Sequence, residues 1–125
     1  MTTLEIIEET VAYYAADPKR RAVTENGGCD YITDDGRMCA FGRCEINPIQ
    51  HSQGIGARFD NDEQIENVLK PEYRGQDPYF WRSLQALHDE SNNWDETGLT
   101  KGGQKEVEKL KATFCHEPSG RENEV

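Results

Sequence analysis

Apolar positions near the start of the chain recur at helical spacing. Leu4, Ile7, Val11 and Tyr14 fall three or four residues apart, one side of a helix. Thr2 and Glu5 stand at the interval of a capping box, in which each side chain satisfies the other's backbone N–H. The pattern predicts a helix from Thr2 to Asp17-Pro18, where the proline disfavours a helical residue before it. Lys19, Arg20 and Arg21 follow at the negative end of that helix, where cations are favoured.

The pattern then changes to short strand-like runs. "CDYIT" (29–33) and "RMCAF" (37–41) flank "DDG", which predicts a hairpin. Two registers are open. A loop of Asp34-Asp35-Gly36, with Gly36 left-handed, sets Tyr31 opposite Cys39 and puts Cys29 on the face of Cys39. A loop of Asp35-Gly36 sets Ile32 opposite Cys39 and turns Cys29 to the other face. Cys29 and Cys39 are expected to be reduced, buried residues that pack the hairpin against the helices. Cys44 is expected to be more exposed, since the chain leaves the strand at Gly42.

Residues 45–62, "EINPIQHSQGIGARFDND", show little periodicity and read as a long polar connection. Asp60 and Glu63 are placed to cap a short helix through Leu69, ended by Pro71. The next stretch is stronger. Asp77 suits an N-cap and Pro78 the first helical position, and Phe80, Leu84 and Leu87 form a stripe. Asn92-Asn93 should break this helix, and "NNWDETGL" reads as a turn between helices pinned by Trp94. Thr100 caps a last helix with Val107, Leu110 and Phe114 inward. The expected fold class is α+β, a small β-hairpin or sheet packed against about four helices. Residues 1–116 form one domain in this reading, and 117–125 a flexible tail.

Composition narrows the function. Only 34% of the 125 residues are hydrophobic, so few apolar side chains are spare and most should be core. Acidic residues number 24 against 14 basic, a net charge of −10. Phosphates would be repelled, which argues against direct binding to duplex DNA, whereas a basic protein partner is permitted. The opening residues have neither the basic start of a signal peptide nor an uninterrupted apolar span. The expectation is a cytoplasmic protein with reduced thiols and no membrane partner.

"CDY", "DDGRMCAFG" and "LQALHDESNNWDETGLTKGG" occur here in an order that resembles a family of small uncharacterised proteins common in tailed-phage genomes and found in some bacteria. That family shows C-x-Y, then G-x-x-C-A-x-G, then L-x-x-L-H-D followed by a tryptophan and a G-L-[ST] turn. The resemblance spans most of residues 10 to 105. It implies a phage origin, the host cytoplasm as the site of action, and no particular activity, cofactor or site residue. Arg43-Cys44 departs from it, since small or aliphatic residues are more usual after that glycine.

Four constellations carry candidate chemistry. Cys29, Cys39 and Cys44, with His51 or Cys115-His116, are zinc-ligand types, but the spacing C-x9-C-x4-C-x6-H contains no C-x2-C knuckle. Core packing is the favoured reading and no metal or other cofactor is expected. Cys39 with His88, oriented by Asp89 or Asp95, has the residue types of an activated thiol nucleophile. His88 follows Leu84 and Leu87 at helical spacing, which favours a hydrogen-bonded packing role and makes catalysis the lesser reading. The G-x-G of "HSQGIGARF", with Arg43, His51, Gln53 and Arg58, is a candidate site for a small nucleotide, without a dinucleotide fingerprint or P-loop lysine. Asp89, Glu90, Asp95 and Glu96, with Asp60, Asp62, Glu63 and Glu66, are candidates for an acidic face that docks a basic host protein. The leading expectation is a non-enzymatic phage accessory protein that binds a host factor, with counter-defence inhibition as its specific form. Nucleotide sequestration and a cysteine-dependent enzyme or zinc module are the alternatives.

Overall fold

Thr2 opens the first helix through two reciprocal bonds. Its hydroxyl accepts from the Glu5 N–H at 3.1 Å, and the Glu5 carboxylate accepts from the Thr2 N–H at 2.7 Å. In the computed structural model, which describes residues 1–22, 30–50 and 54–115, this helix is α1 (Thr3–Ala16). Its buried face is Ile6, Ile7, Thr10 and Tyr14, while Leu4 is 40% exposed. The stripe is therefore displaced from the one expected. Thr10 joins it because its hydroxyl accepts from the buried Arg43, a partner from outside the helix.

The fold class is α+β, but the sheet lies elsewhere than the "DDG" signal indicated. Residues 31–39 form only a single antiparallel bridge, Ile32 with Met38. The three-residue loop is the register adopted: Thr33 N–H donates to Arg37 O at 2.8 Å, Cys39 N–H to Tyr31 O at 3.3 Å, and Gly36 has φ 86°. Beyond Cys39 the chain leaves this ladder and turns through a short 3-10 segment, Gly42–Cys44. Gly42 presses on Tyr31, so that a Cβ there would lie 2.1 Å from Tyr31 O.

The paired strands are β1 (Trp94–Asp95) and β2 (Gly98–Leu99), inside the segment expected to be a plain turn. Trp94 pairs with Leu99 and Asp95 with Gly98. The Asp95 carboxylate accepts from the Thr97 N–H at 2.8 Å and stabilises the tight turn. Trp94 is buried, and its indole N–H donates to Leu87 O at 2.9 Å, which ties the hairpin to the end of the preceding helix.

The helices expected after residue 60 form, with adjusted ends. Asn61, not Asp60, caps α3 (Asp62–Val68), accepting from Gln64 N–H at 3.0 Å. Asp77 and Pro78 begin α4 (Pro78–Asp89), and Thr100 caps α5 (Lys101–Phe114). The polar connection is more structured than its sequence suggests. It holds a one-turn helix, α2 (Ile55–Arg58), and Glu45 bridges to Leu69 beside the end of α3. Together with α2, the described residues hold five α-helices rather than about four.

Aromatic side chains fill the core. Phe41 and Trp81 meet edge to face at 5.3 Å, and Phe80 and Phe114 do so at 5.6 Å. Phe80, Trp81 and Leu84 are fully buried, as is Tyr14, whose hydroxyl donates to Met38 O at 2.5 Å and joins α1 to the bridge segment. Among the described residues no helix is long and apolar enough to cross a membrane. Cys29, His51, Gln53, His116 and the 117–125 tail lie outside the described residues.

Candidate functional site

Arg43, Arg58 and His88 are drawn into the fold by partners distant in sequence, and Cys39 and Cys44 by nearby backbone groups. Arg58 ends α2 and points back to Glu45, donating to its two carboxylate oxygens at 2.8 and 2.7 Å. The guanidinium lies over the Tyr31 ring at 4.3 Å and the Phe59 ring at 4.6 Å. Glu45 is 1% exposed. Burial pushes its carboxyl above the usual range, and the bonds from Arg58 oppose this only in part. Arg58 is thus committed to an internal carboxylate rather than to an external anion.

Arg43 is committed in the same way. It donates to Glu9 Oε1 at 2.9 Å and to Thr10 Oγ1 at 3.0 Å, and lies over the Tyr13 ring at 5.1 Å. Tyr73 completes the cluster, its hydroxyl donating to Glu9 at 2.8 Å. Arg43 Nε alone in this cluster is buried without a hydrogen-bond partner among the described residues. The two arginines expected to share one anion therefore serve two separate carboxylates of the chain, buried Glu45 and half-exposed Glu9.

Both central thiols are buried. Cys39 Sγ accepts from the Gly42 N–H at 3.2 Å, and Cys44 Sγ donates to Ala40 O at 3.5 Å. Burial pushes each up to about 12, so both are thiols at neutral pH. Cys44 is 0% exposed, against the expectation from the strand end, because the 3-10 turn folds it back under Ala40. Cys115 is only partly covered. Among the described residues no group of three His, Cys, Asp or Glu side chains is arranged to hold a metal ion.

His88 sits on the inner face of α4. Its Nε2 accepts from the Ala22 N–H at 3.2 Å, which places the ring proton on Nδ1, facing Asp89 Oδ1 at 2.8 Å. Arg21 extends this junction, donating to His88 O at 2.8 Å and Asp89 O at 3.2 Å. The imidazole thus staples residues 21–22 to the end of α4. Its two nitrogens face Ala22 and Asp89, and the Cys39 sulfur faces Gly42, so no Cys39–His88 hydrogen bond is made. Asp95 is engaged in its own turn with Thr97.

The acidic candidates remain outside. Asp62 and Glu63 are exposed in the first turn of α3, and Asp89, Glu90, Asp95 and Glu96 are exposed around the end of α4 and the β1–β2 turn. Asp60 is exposed ahead of the α3 cap. Glu66 is the exception, half-buried and accepting from Gly75 N–H at 2.7 Å. Beside the second acidic group, a groove of about 610 Å³ runs between α4 and α5, past Leu87, Glu90, Asn93, Leu110 and Phe114.

Sequence reasoning missed Glu45, Glu9 and Tyr73. Glu45 stands in a polar run and Glu9 on the charged side of α1, and nothing in their spacing marks an arginine partner. No family model, curated protein or solved structure matches the chain.

Proposed function

We propose that this chain is a phage-encoded accessory protein that acts in the host cytoplasm by binding a host protein, with inhibition of a host defence as its specific form. The observation that carries this reading is the division of its polar side chains. Arg43, His88, Cys39 and Cys44 are buried, Arg58 is largely covered, and all five are engaged with the protein itself, whereas Asp62, Glu63, Glu90 and Glu96 face solvent. The buried set supplies rigidity and the exposed set supplies a surface potential. With a net charge of −10, that potential attracts a basic partner and accelerates encounter. The resemblance to tailed-phage proteins supports a partner drawn from the host.

The experiment is recovery of the tagged chain from phage-infected cells, followed by reconstitution with the purified partner and nucleotide analysis of the bound fraction. A single basic host protein should bind the chain, its association should slow as salt rises, and Asp62→Lys with Glu63→Lys or Glu90→Lys with Glu96→Lys should weaken binding. A stoichiometric nucleotide with no bound protein would overturn the reading and favour sequestration of a small ligand.

A further inference from the structure

Tyr79 and Arg82 stand one turn apart on the outer side of α4. Tyr79 is 66% exposed, far more than the other large side chains of that helix's apolar set. The Arg82 guanidinium lies 5.2 Å from the centre of the Tyr79 ring. It also rests on α2: a Cβ at Gly56 would stand 2.9 Å from the Arg82 terminal nitrogen and 3.0 Å from its central carbon. Gly56, half of the G-x-G singled out in the sequence, leaves the space in which Arg82 is seated. The guanidinium is thus positioned by an aromatic ring and a backbone, neither of which uses its N–H groups.

The other arginines of the described residues all donate to a protein oxygen. Arg20 bonds Tyr13 O, Arg21 bonds His88 O, Arg37 and Asp35 pair, Arg43 and Arg58 hold Glu9 and Glu45, and Arg74 bonds Leu69 O. Among the described residues Arg82 makes no hydrogen bond and no ion pair, in a chain with 24 acidic side chains. Its N–H fork is open to solvent. On the same helix Phe80, Trp81 and Leu84 are fully buried, which anchors α4 in the core.

We propose that Tyr79 and Arg82 anchor a protein partner that presents a carboxylate beside an apolar or aromatic side chain. A guanidinium fork matches a carboxylate bidentately. Tyrosine and arginine are the residue types that dominate interface energetics, and an already ordered pair loses little freedom on binding. A polyphosphate offers the same anionic chemistry but carries more charge toward a strongly acidic chain, which favours the carboxylate. The contact deepens the protein-binding reading and rests on it for the class of partner. The exposed acids would attract a basic partner at long range, and Arg82 would set its orientation through one opposite charge.

The test is selection of random displayed peptides on the full chain, with ATP titrated in parallel and the Arg82 Nε–Hε resonance as the common readout. Enriched peptides should carry Asp or Glu next to Phe, Tyr, Trp or Leu, and should shift that resonance. Both Tyr79→Ala and Arg82→Gln should weaken them by about tenfold or more with the melting temperature unchanged, while Asp62→Lys with Glu63→Lys should leave them bound. Enriched peptides that bind Arg82→Gln as tightly as the parent, no enrichment, or a resonance moved by ATP alone would each overturn the anchor. The protein-binding reading is judged separately, by the host partner and the acidic variants.

Discussion

Glu45 and Arg58 form a two-pronged ion pair inside the protein, 2.8 and 2.7 Å across its two bonds, with Tyr31 stacked on the guanidinium. The pair joins the start of the polar connection to its one-turn helix. Removing one partner leaves the other charged and buried, so Arg58→Met should cost about 3–5 kcal/mol. The double variant Glu45→Leu with Arg58→Met should recover most of that loss. Urea unfolding of the parent, the single variant and the double variant checks this, and equal losses in both variants would show that the charges are not coupled.

The His88 staple makes stability depend on pH. Burial holds the folded imidazole below its ordinary range, and Asp89 offsets this only in part. Folded protein then binds fewer protons than unfolded protein below about pH 6.5, the ordinary histidine value. The staple's contribution is complete above that pH and is lost as the pH falls through the lowered folded value. Protonating Nε2 would also set a second donor against the Ala22 N–H. The groups facing the ring are Asp89, Arg21 and the Tyr14 ring. Buried Glu45, whose carboxyl is raised, acts in the opposite direction, so the comparison must be with His88→Gln. The melting temperature of the parent should fall further between pH 7 and about 5.5 than that of the variant. Parallel curves would remove the histidine from the account.

Thiol reactivity should separate the cysteines. Cys39 and Cys44 are buried and held as thiols, so a maleimide should modify them in native protein far more slowly than the partly exposed Cys115. Cys39→Ala should cost about 1–3 kcal/mol, since the Gly42 N–H loses its acceptor. Rapid native labelling of Cys39, located by mass spectrometry, would contradict its burial.

Gly42 should tolerate no side chain. A Cβ would stand 2.1 Å from Tyr31 O, a backbone atom that cannot swing away. Gly42→Ala should destabilise by more than about 3 kcal/mol, within the range for overpacked or strained positions. A folded variant with near-native stability by calorimetry would show that the 31–42 junction yields.

Much of the local structure was legible without coordinates. Thr2, Asp77 and Thr100 were readable as caps because each cap bond closes within a few residues, and Gly36 as the left-handed end of a loop because the turn demands it. The inward stripe Phe80, Leu84 and Leu87 was readable because helical period and apolarity coincide there. The placement of the sheet was not. The strand signal lay at 29–41, whereas the hairpin that formed lies in the segment read as a turn, where Trp94 found Leu87 O and the end of α4. Nor was the fate of the charged candidates. Arg43 reaches back to Glu9 and Arg58 to Glu45, while Arg82 is left open over Gly56. A helix cap is settled by neighbours along the chain. Whether a charge can be buried depends on a partner that offsets its lost hydration, and only the folded chain brings that partner within reach.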